Sequence, residues 1–166
     1  YQIAPVWRGE TPQRGRYREF LQCDADIVGI GTMDADAEII GIVDMAMSRL
    51  GFPDYAIKIN NRKLLTGIGH YAGLEGDALA NLYRSIDKAD KIGLEGVQAD
   101  LLKQGISAEV AAKIIAILKE ARPGELLGIG IGLRKIAALR EQLAGYPSAE
   151  EGLADLTTLF ELLQTT

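Results

Sequence analysis

Hydrophobic and polar residues have strand-like spacing in the first part of the chain. One strand is predicted over residues 2–8 and a longer one over about residues 17–30. Between them, Pro12 and Gly15 indicate a turn. The pattern therefore predicts an antiparallel hairpin with an extended loop.

A helix is predicted after the hairpin. It can be capped by Asp34 or Asp36, and Gly51 and Pro53 are expected to end it. Its apolar residues follow the helical period, at Ile40, Val43, Met47 and Leu50. Residues 55–60 then alternate apolar and polar side chains, which predicts another strand.

The second part of the chain has helical spacing. Helices are predicted around residues 79–89, 97–101, 110–118 and 133–140. Ser107 is expected to cap the third of these helices, and Ser148 with Glu151 forms a capping-box pattern that would start a final one. The chain is therefore predicted to be a mixed α/β protein of the α+β type, with a sheet-forming part followed by a helical part.

Composition narrows the protein class. At 166 residues and 48% hydrophobic content, the chain is long enough to bury a core. The single cysteine excludes an internal disulfide framework and a multi-cysteine zinc site. No apolar run approaches the roughly 18 residues of a membrane helix, and no signal pattern opens the chain, so we expect a cytoplasmic protein without a membrane partner. The first residue is not methionine, and we expect the chain to be part of a longer protein.

Positive charge is concentrated in the first 22 residues. Four arginines, at positions 8, 14, 16 and 18, stand against Glu10 and Glu19, so this segment has a net charge of +2 in a chain of net charge −5. The segment is therefore expected to attract an anion.

The side chains of the second predicted strand separate onto two faces. Strand alternation places one set on a face predicted to be core: Leu21, Cys23, Ala25 and Ile27. The opposite face carries Arg16, Arg18, Phe20, Gln22, Asp24 and Asp26. A solvated polar face is a common interpretation of such alternation. The combination of guanidinium groups, an aromatic ring, an amide and carboxylates favours a binding site, to which Arg8 and Glu10 would contribute from the first strand.

These groups suit a nucleotide triphosphate beside a small amine-bearing molecule. Arginine forks around phosphate or carboxylate oxygens, and its charge-assisted hydrogen bonds are roughly twice as strong as neutral ones. Phe20 could stack on a flat base, and Glu10 could accept from an exocyclic amine. Asp24 or Asp26 could hold a cationic substrate group. The segment contains no glycine-rich phosphate loop.

Two motifs resemble one enzyme family. The run VWRGETPQRGRYREFLQCD is similar to the second signature motif of class II aminoacyl-tRNA synthetases, in the form found in histidyl-tRNA synthetase. INNRKLL at residues 59–65 resembles the same family. The likeness is good over residues 1–70, and the helical remainder corresponds by position to a helical insertion that approaches the tRNA acceptor stem.

This resemblance implies a role in ATP binding for four residues. Arg8 would bind the α-phosphate and serve as the catalytic arginine, and Glu10 would face the adenine amino group. Arg16 would reach the outer phosphates, and Phe20 would stack on adenine. ATP is expected to act with Mg2+, and no metal site made of protein side chains is expected.

The resemblance implies further partners. Histidine would be bound by Arg8 through its carboxylate, by Gln22 through its amino group and by Asp26 on its imidazole side. The parent enzyme would join histidine to tRNA(His) and form a homodimer.

The resemblance also implies a division of the chain and a limit on its activity. Residues 1–75 would be part of an antiparallel catalytic core, residues 76–146 the helical insertion, and residues 147–166 a helix returning to the core. The first and third class signatures and the anticodon-binding domain are not found in the chain, so we expect it to be inactive by itself.

Two other functions remain open. One is the regulatory paralogue of the synthetase in histidine biosynthesis, the ATP phosphoribosyltransferase regulatory subunit; the intact pair Arg8 and Glu10 favours the synthetase. The other is a non-enzymatic interaction module built on residues 77–146.

Four further features are given structural interpretations. GIGIG at residues 128–132 lacks the spacing of a dinucleotide site and is expected to be a flexible loop. His70 is expected at the surface or at a helix end, and Cys23 in the core. The segment 60–62 is expected to be structural or close to tRNA, because asparagines at a strand end form local backbone hydrogen bonds.

Overall fold

A two-stranded antiparallel hairpin opens the chain in the computed structural model, which describes residues 1–121 and 129–165. Strand β1 (Gln2–Trp7) pairs with β2 (Glu19–Asp24), so the predicted hairpin is confirmed. The second strand is shorter than the predicted 17–30. Its pairing ends where Asp24 meets Gln2, because β1 extends no further and a strand requires a partner for its backbone groups.

The prediction that Leu21 and Cys23 lie on a core face of the hairpin is wrong, whereas Ala25 and Ile27, beyond the end of β2, are half-buried. Leu21 is 71% exposed and Cys23 is exposed, together with Trp7 of β1 at 70%. Phe20 and Gln22, on the opposite face, are half-buried. Alternation determines which side chains share a face, but a single two-stranded layer does not determine which face is covered.

The predicted helix after the hairpin is confirmed as α1 (Met33–Arg49). Its N-cap residue is Thr32, whose hydroxyl donates a hydrogen bond to Asp34 (2.7 Å). Asp34 and Asp36 lie in the first turn, so the prediction that one of them caps the helix is wrong. Their negative charges are still favourable there, because the N-terminal end of the helix dipole is positive. The helix stops just before Gly51, which adopts a φ of 80° that favours glycine.

Residues 55–60 form no strand among the described residues, contrary to the prediction. Their burial nevertheless alternates, with Tyr55, Ile57 and Ile59 half-buried and the residues between them exposed. The alternation of apolar and polar residues therefore matches the burial of these side chains. It does not produce a strand, because the pairing partner is missing from the described part of the chain.

Six helices follow in the described part of the chain, and the mixed α/β class is confirmed. They are α2 (Arg62–Tyr71), α3 (Asp77–Ile86), α4 (Ala89–Lys103), α5 (Ala108–Ala121), α6 (Ile129–Gln142) and α7 (Pro147–Leu163). One hydrophobic core joins α2, α6 and α7, and a second joins α3, α4 and α5. Helix α4 is kinked at Gly93, where φ is 69°.

The expected helix starts have mixed outcomes. Ser107 does cap α5, since its hydroxyl accepts from the amide of Val110 (3.3 Å). The prediction that Ser148 and Glu151 form a capping box is wrong, because α7 begins one residue earlier, at Pro147, without a side-chain cap. Proline suits that first position because it lacks the amide hydrogen that would have no partner there.

The glycine-rich segment 128–132 is not a loop where the structure describes it. Residues 129–132 form the first turn of α6, while Gly128 lies outside the described residues. A Cβ atom on Gly132 would lie 2.5 Å from the ring of Phe160 in α7. The absence of a side chain thus permits close packing, and tertiary contact overrides the low helix propensity of glycine. His70 is exposed in the last turn of α2, as expected.

The chain divides into two compact units, Tyr1–Pro53 and Asp54–Thr166. This division follows contacts, whereas the predicted boundaries at 75 and 146 concern functional roles and stay predictions. Among the helices that the structure describes, none is long and apolar enough to cross a membrane.

Helices α2 and α7 approach closely because glycines lie where they cross. A Cβ atom on Gly152 would lie 2.4 Å from the backbone nitrogen of Leu64, and one on Gly67 would lie 2.4 Å from that of Ala149. Backbone atoms cannot move aside as a flexible side chain can, so the crossing tolerates no added methyl group.

We expect Gly152→Ala to destabilise the protein by about 1–3 kcal/mol through overpacking, seen as a lower Tm in thermal unfolding followed by circular dichroism. Gly130→Ala is the matched control, because a Cβ atom there meets nothing within 4 Å in a helix. It should leave Tm unchanged or raise it, since alanine is the better helix former. Equal losses of Tm in both variants would contradict the steric explanation.

A polar cluster joins α3 to α4 next to the second core. Asp100 accepts hydrogen bonds from Lys88 (2.9 Å), from the fully buried Ser85 (2.8 Å) and from Gln104 (3.0 Å). Lys88 first, and then Ser85, hold the pKa of Asp100 below its ordinary value, because these hydrogen bonds favour the carboxylate. The cluster therefore stabilises the ionised side chain in the folded state.

A carboxyl group whose pKa is lower in the folded than in the unfolded protein stabilises the fold at pH values above its unfolded pKa. This stabilisation is lost as the pH falls through the folded pKa. We therefore expect Tm to fall below about pH 4 less steeply in Asp100→Asn than in the unmodified protein. Lys88→Met removes the largest cause of the pKa shift, so the folded pKa of Asp100 comes closer to its unfolded pKa and the acid loss of Tm should also become smaller. Parallel Tm curves for all three proteins would contradict a role for this cluster.

Candidate functional site

The register of the hairpin brings the predicted site residues together. The amide of Arg8 donates to the carbonyl of Arg18 (2.8 Å), which extends the pairing one step beyond Trp7 and Glu19. Val6 lies opposite Phe20 and Ala4 lies opposite Gln22. Because side chains alternate, one face of the hairpin carries a set that we call the arginine face: Arg8, Arg18, Phe20, Gln22 and Asp24.

Arg8 lies at the centre of these contacts. Its Nη2 donates a hydrogen bond to Oε1 of Gln22 (3.1 Å). Its Cζ lies over the ring of Phe20, 5.1 Å from the ring centroid, within the range of a cation–π contact. Arg8, Phe20 and Gln22 thus share one surface, as strand alternation predicted.

Gln22 continues the network toward the end of the strand. Its Nε2 donates to Oδ2 of Asp24 (2.9 Å), while its Oε1 accepts from Arg8. The amide therefore connects a cation on one strand to a carboxylate on the other.

The loop between the strands holds Glu10 in place. Arg16 forms an ion pair with its carboxylate (2.7 Å), and Nε of Arg18 donates to its backbone carbonyl (3.0 Å). Arg16 is placed by a tight turn in which its backbone pairs with that of Gln13, and Gly15 in the turn has a φ of 77°. The loop thus presents an acid whose orientation is set by two arginines.

Like charges lie next to each other on the arginine face. Arg8 and Arg18 are directly opposite across the hairpin, an arrangement that costs stability in a sheet. Their partners are neutral acceptors, the amide of Gln22 and the carbonyl of Glu10, so neither positive charge is cancelled by a carboxylate on these bonds. A bound anion would relieve the repulsion, and arginine forks bind phosphate or carboxylate oxygens well.

Asp26 is not brought into this network. It lies two residues beyond the end of β2, is exposed, and has no hydrogen bond or ion pair to any residue in the described ranges. The predicted contact of Asp26 with a substrate therefore has no support from its surroundings in this structure.

Asn61, in the middle of segment 60–62, has a structural role at the start of α2. The side chain of Asn61 caps α2 by accepting from the amide of Lys63 (2.8 Å), and its amide group donates to Asp155 of α7 (3.1 Å). Arg62 lies over the ring of Tyr83, 5.1 Å from the centroid. The expected local backbone bonding is therefore present at Asn61.

Sequence reasoning did not identify Lys63 as part of this connection. Its Nζ contacts Glu151 (2.5 Å) and Asp155 (3.0 Å) of α7. Hydrogen bonds to Glu151 first, and then to Asp155, raise the pKa of Lys63 above its ordinary value. Only the folded chain shows these contacts, because Glu151 is 88 positions from Lys63, Asp155 lies further still, and no local pattern links them.

Other possible sites are less developed in the described part of the chain. No group of three or more histidine, cysteine, aspartate or glutamate side chains is arranged to hold a metal ion there. An open groove of about 410 Å³ lies along α6 and α7, with lining residues that include Ile136, Arg140 and Thr157. None of its lining residues belongs to the arginine face.

Comparison with known proteins gives consistent matches. A family model described as histidyl-tRNA synthetase matches residues 1–166. A histidine-tRNA ligase from Bacteroides fragilis is 42% identical over 165 residues, which cover 99% of this chain and 34% of that protein. One from Aeropyrum pernix is 45% identical over 128 residues, covering 76% of this chain and 29% of that protein.

A solved structure matches as well. A crystal structure of histidyl-tRNA synthetase from Nostoc sp. aligns with a TM-score of 0.81 and 29% identity, over 99% of this chain and 36% of that one. The chain spans about a third of the length of the curated relatives it matches.

Proposed function

The chain belongs to the histidyl-tRNA synthetase family, and on this basis we propose that a complete protein carrying it joins histidine to tRNA(His) with ATP. In this reaction the histidine carboxylate attacks the α-phosphorus of ATP, giving histidyl-adenylate and pyrophosphate. The terminal ribose of the tRNA then takes the histidyl group. The observation that carries the proposal is the convergence of Arg8, Phe20 and Gln22 on one face.

Arg8 is proposed to neutralise charge at the reacting centre. Negative charge develops around the α-phosphate as the carboxylate attacks, and a fixed guanidinium stabilises it without needing to reorganise. The bond from Arg8 to Gln22 and its position over Phe20 limit the freedom of its long side chain before substrate binds. Positioning of this kind, with no protein nucleophile, is sufficient for transfer to phosphorus.

Glu10, Arg16 and Phe20 are proposed to bind the rest of the nucleotide. Arg16 holds the Glu10 carboxylate, which would accept from the adenine amino group, and its remaining guanidinium donors would reach the outer phosphates. Phe20 would stack on adenine. Because Arg8 lies over one face of the ring, the base would take the opposite face or displace the guanidinium.

Gln22 is proposed to contact the amino group of histidine, and Asp26 its imidazole. Oε1 of Gln22 has a second lone pair besides the one that accepts from Arg8, so it can also accept from an ammonium group.

Magnesium is expected with ATP, but these residues do not form a site for it. Magnesium usually binds through one or two carboxylates together with substrate phosphates. The carboxylate of Glu10 is paired with Arg16, and that of Asp24 accepts from Gln22. No metal-holding cluster is present among the described residues.

The remaining expectations also belong to this proposal. Within the helical unit, residues 76–146 would approach the tRNA, the complete protein would form a homodimer, and it would act in the cytoplasm. The regulatory paralogue is not favoured, because the curated relatives are named histidine-tRNA ligase.

Arg8→Ala is the direct test of the proposed chemistry. The variant is made in a complete ligase in which this chain replaces the matching segment of the Bacteroides fragilis relative. Loss of a fixed donor to the transition state should slow histidine-dependent exchange of pyrophosphate into ATP by at least about 100-fold. Arg14→Ala is the matched control, an arginine of the same loop whose side chain is exposed, and it should retain exchange. Near-normal exchange in Arg8→Ala would refute the role of Arg8.

Phe20→Leu tests the binding of the base. Loss of stacking on a base is worth about 1–3 kcal/mol, so the KM for ATP should rise roughly tenfold and by more than the KM for histidine. Tyr17→Leu removes an exposed aromatic ring next to the same strand and should change neither value. An unchanged KM for ATP in Phe20→Leu would argue against stacking on this ring.

A further inference from the structure

We propose that Asp24 is a positioning residue, whose carboxylate fixes the Gln22 amide so that its oxygen faces Arg8 and the substrate. Asp24 lies at the end of β2, two residues after Gln22 on the same face. The inference rests on the proposed function, because it specifies how the histidine amino group is recognised at that site.

The donors and acceptors around Gln22 permit only one orientation of its amide. Arginine is a donor without acceptor atoms, and an ionised carboxylate is an acceptor without donors. Arg8 on one side therefore requires the Oε1 atom, and Asp24 on the other requires the Nε2 group. Both hydrogen bonds are satisfied in the same orientation, at 3.1 Å and 2.9 Å. Rotating the amide by half a turn would place donor against donor and acceptor against acceptor.

This orientation determines what the site can bind. An ammonium group has three donors and no acceptor, so it needs an oxygen from Gln22 and is repelled by the NH2 group. Without Asp24, no carboxylate would hold the Nε2 group of this half-buried side chain, and the group could turn toward the site. Asp24 thus favours an amino substrate through Gln22, without touching the substrate itself.

Glu19 provides a matched control on the same strand. It carries the same charge, lies opposite Trp7 in the register, and is separated from Asp24 by an odd number of residues, so it lies on the other face. Removing Glu19 changes the net charge of β2 as much as removing Asp24, but leaves the Gln22 amide in place.

The hydrogen bond is tested directly by NMR on the isotope-labelled 166-residue chain. The side-chain amide protons of Gln22 should shift upfield in Asp24→Ala, because a charge-assisted hydrogen bond to a carboxylate is lost. They should be unchanged in Glu19→Ala and closer to the original position in Asp24→Glu, which keeps an acceptor without donors. Circular dichroism on each variant checks that the fold is retained, as is expected for an exposed residue. Equal resonances in Asp24→Ala and the unmodified chain would overturn the proposal.

The consequence for binding is tested in the complete ligase that contains this chain. Asp24→Ala should raise the KM for histidine by about tenfold, the typical effect of losing a hydrogen bond to a charged group, with kcat and the KM for ATP unchanged. Asp24→Glu should recover most of the loss, and Glu19→Ala should show none. A KM for histidine that does not change in Asp24→Ala would overturn the positioning role, even where the amide resonance shifts.

Failure of this inference can be told apart from failure of the proposed function. Full activity in Arg8→Ala would refute the proposed chemistry, whereas the amide resonance of Gln22 is read without any substrate. The joint result that supports the inference is a shifted resonance together with a raised KM for histidine in Asp24→Ala.

Discussion

The antiparallel register of β1 and β2 is the constraint on which the candidate site depends. Val6 pairs with Phe20, and the Arg8 amide bonds the Arg18 carbonyl. A slip of one residue would move every side chain of one strand to the other face. Arg8 would then lose both Phe20 and Gln22, although the local sequence would be unchanged. The chemistry of the site is therefore set first by backbone pairing and only then by the side chains.

The charges of the site are arranged by a few directional hydrogen bonds. Two arginines lie opposite each other and are bonded to neutral acceptors, so the face retains its attraction for anions. Arg16 differs from these two arginines, because it forms an ion pair with the carboxylate of Glu10. In this way the hairpin keeps positive charge available for an anion, while the carboxylate of Glu10 is already oriented by Arg16.

The helical unit depends on a different constraint, the close approach of α2 and α7. Gly67 and Gly152 let the backbones meet, and Asn61 and Lys63 at the start of α2 bond to acids on α7. The family motif at residues 59–65 therefore contributes a helix cap and an interhelical ion pair. Its role within this unit is to hold two helices that are far apart in sequence.

The sequence by itself determined the elements with strong local signals. The hairpin, α1 and the helices from α3 onward follow from hydrophobic period and turn residues, and alternation was sufficient to place Phe20 and Gln22 on one face of β2. These features depend on neighbouring residues, whose geometry is fixed by the backbone.

Only the tertiary structure decided the features that depend on distant partners. It showed that Cys23 is exposed, that residues 55–60 lack a strand partner among the described residues, and that the glycines after residue 128 begin a helix packed on Phe160. Burial, strand pairing and side-chain partners are set by what lies across a face, and a linear pattern contains no information about that neighbour.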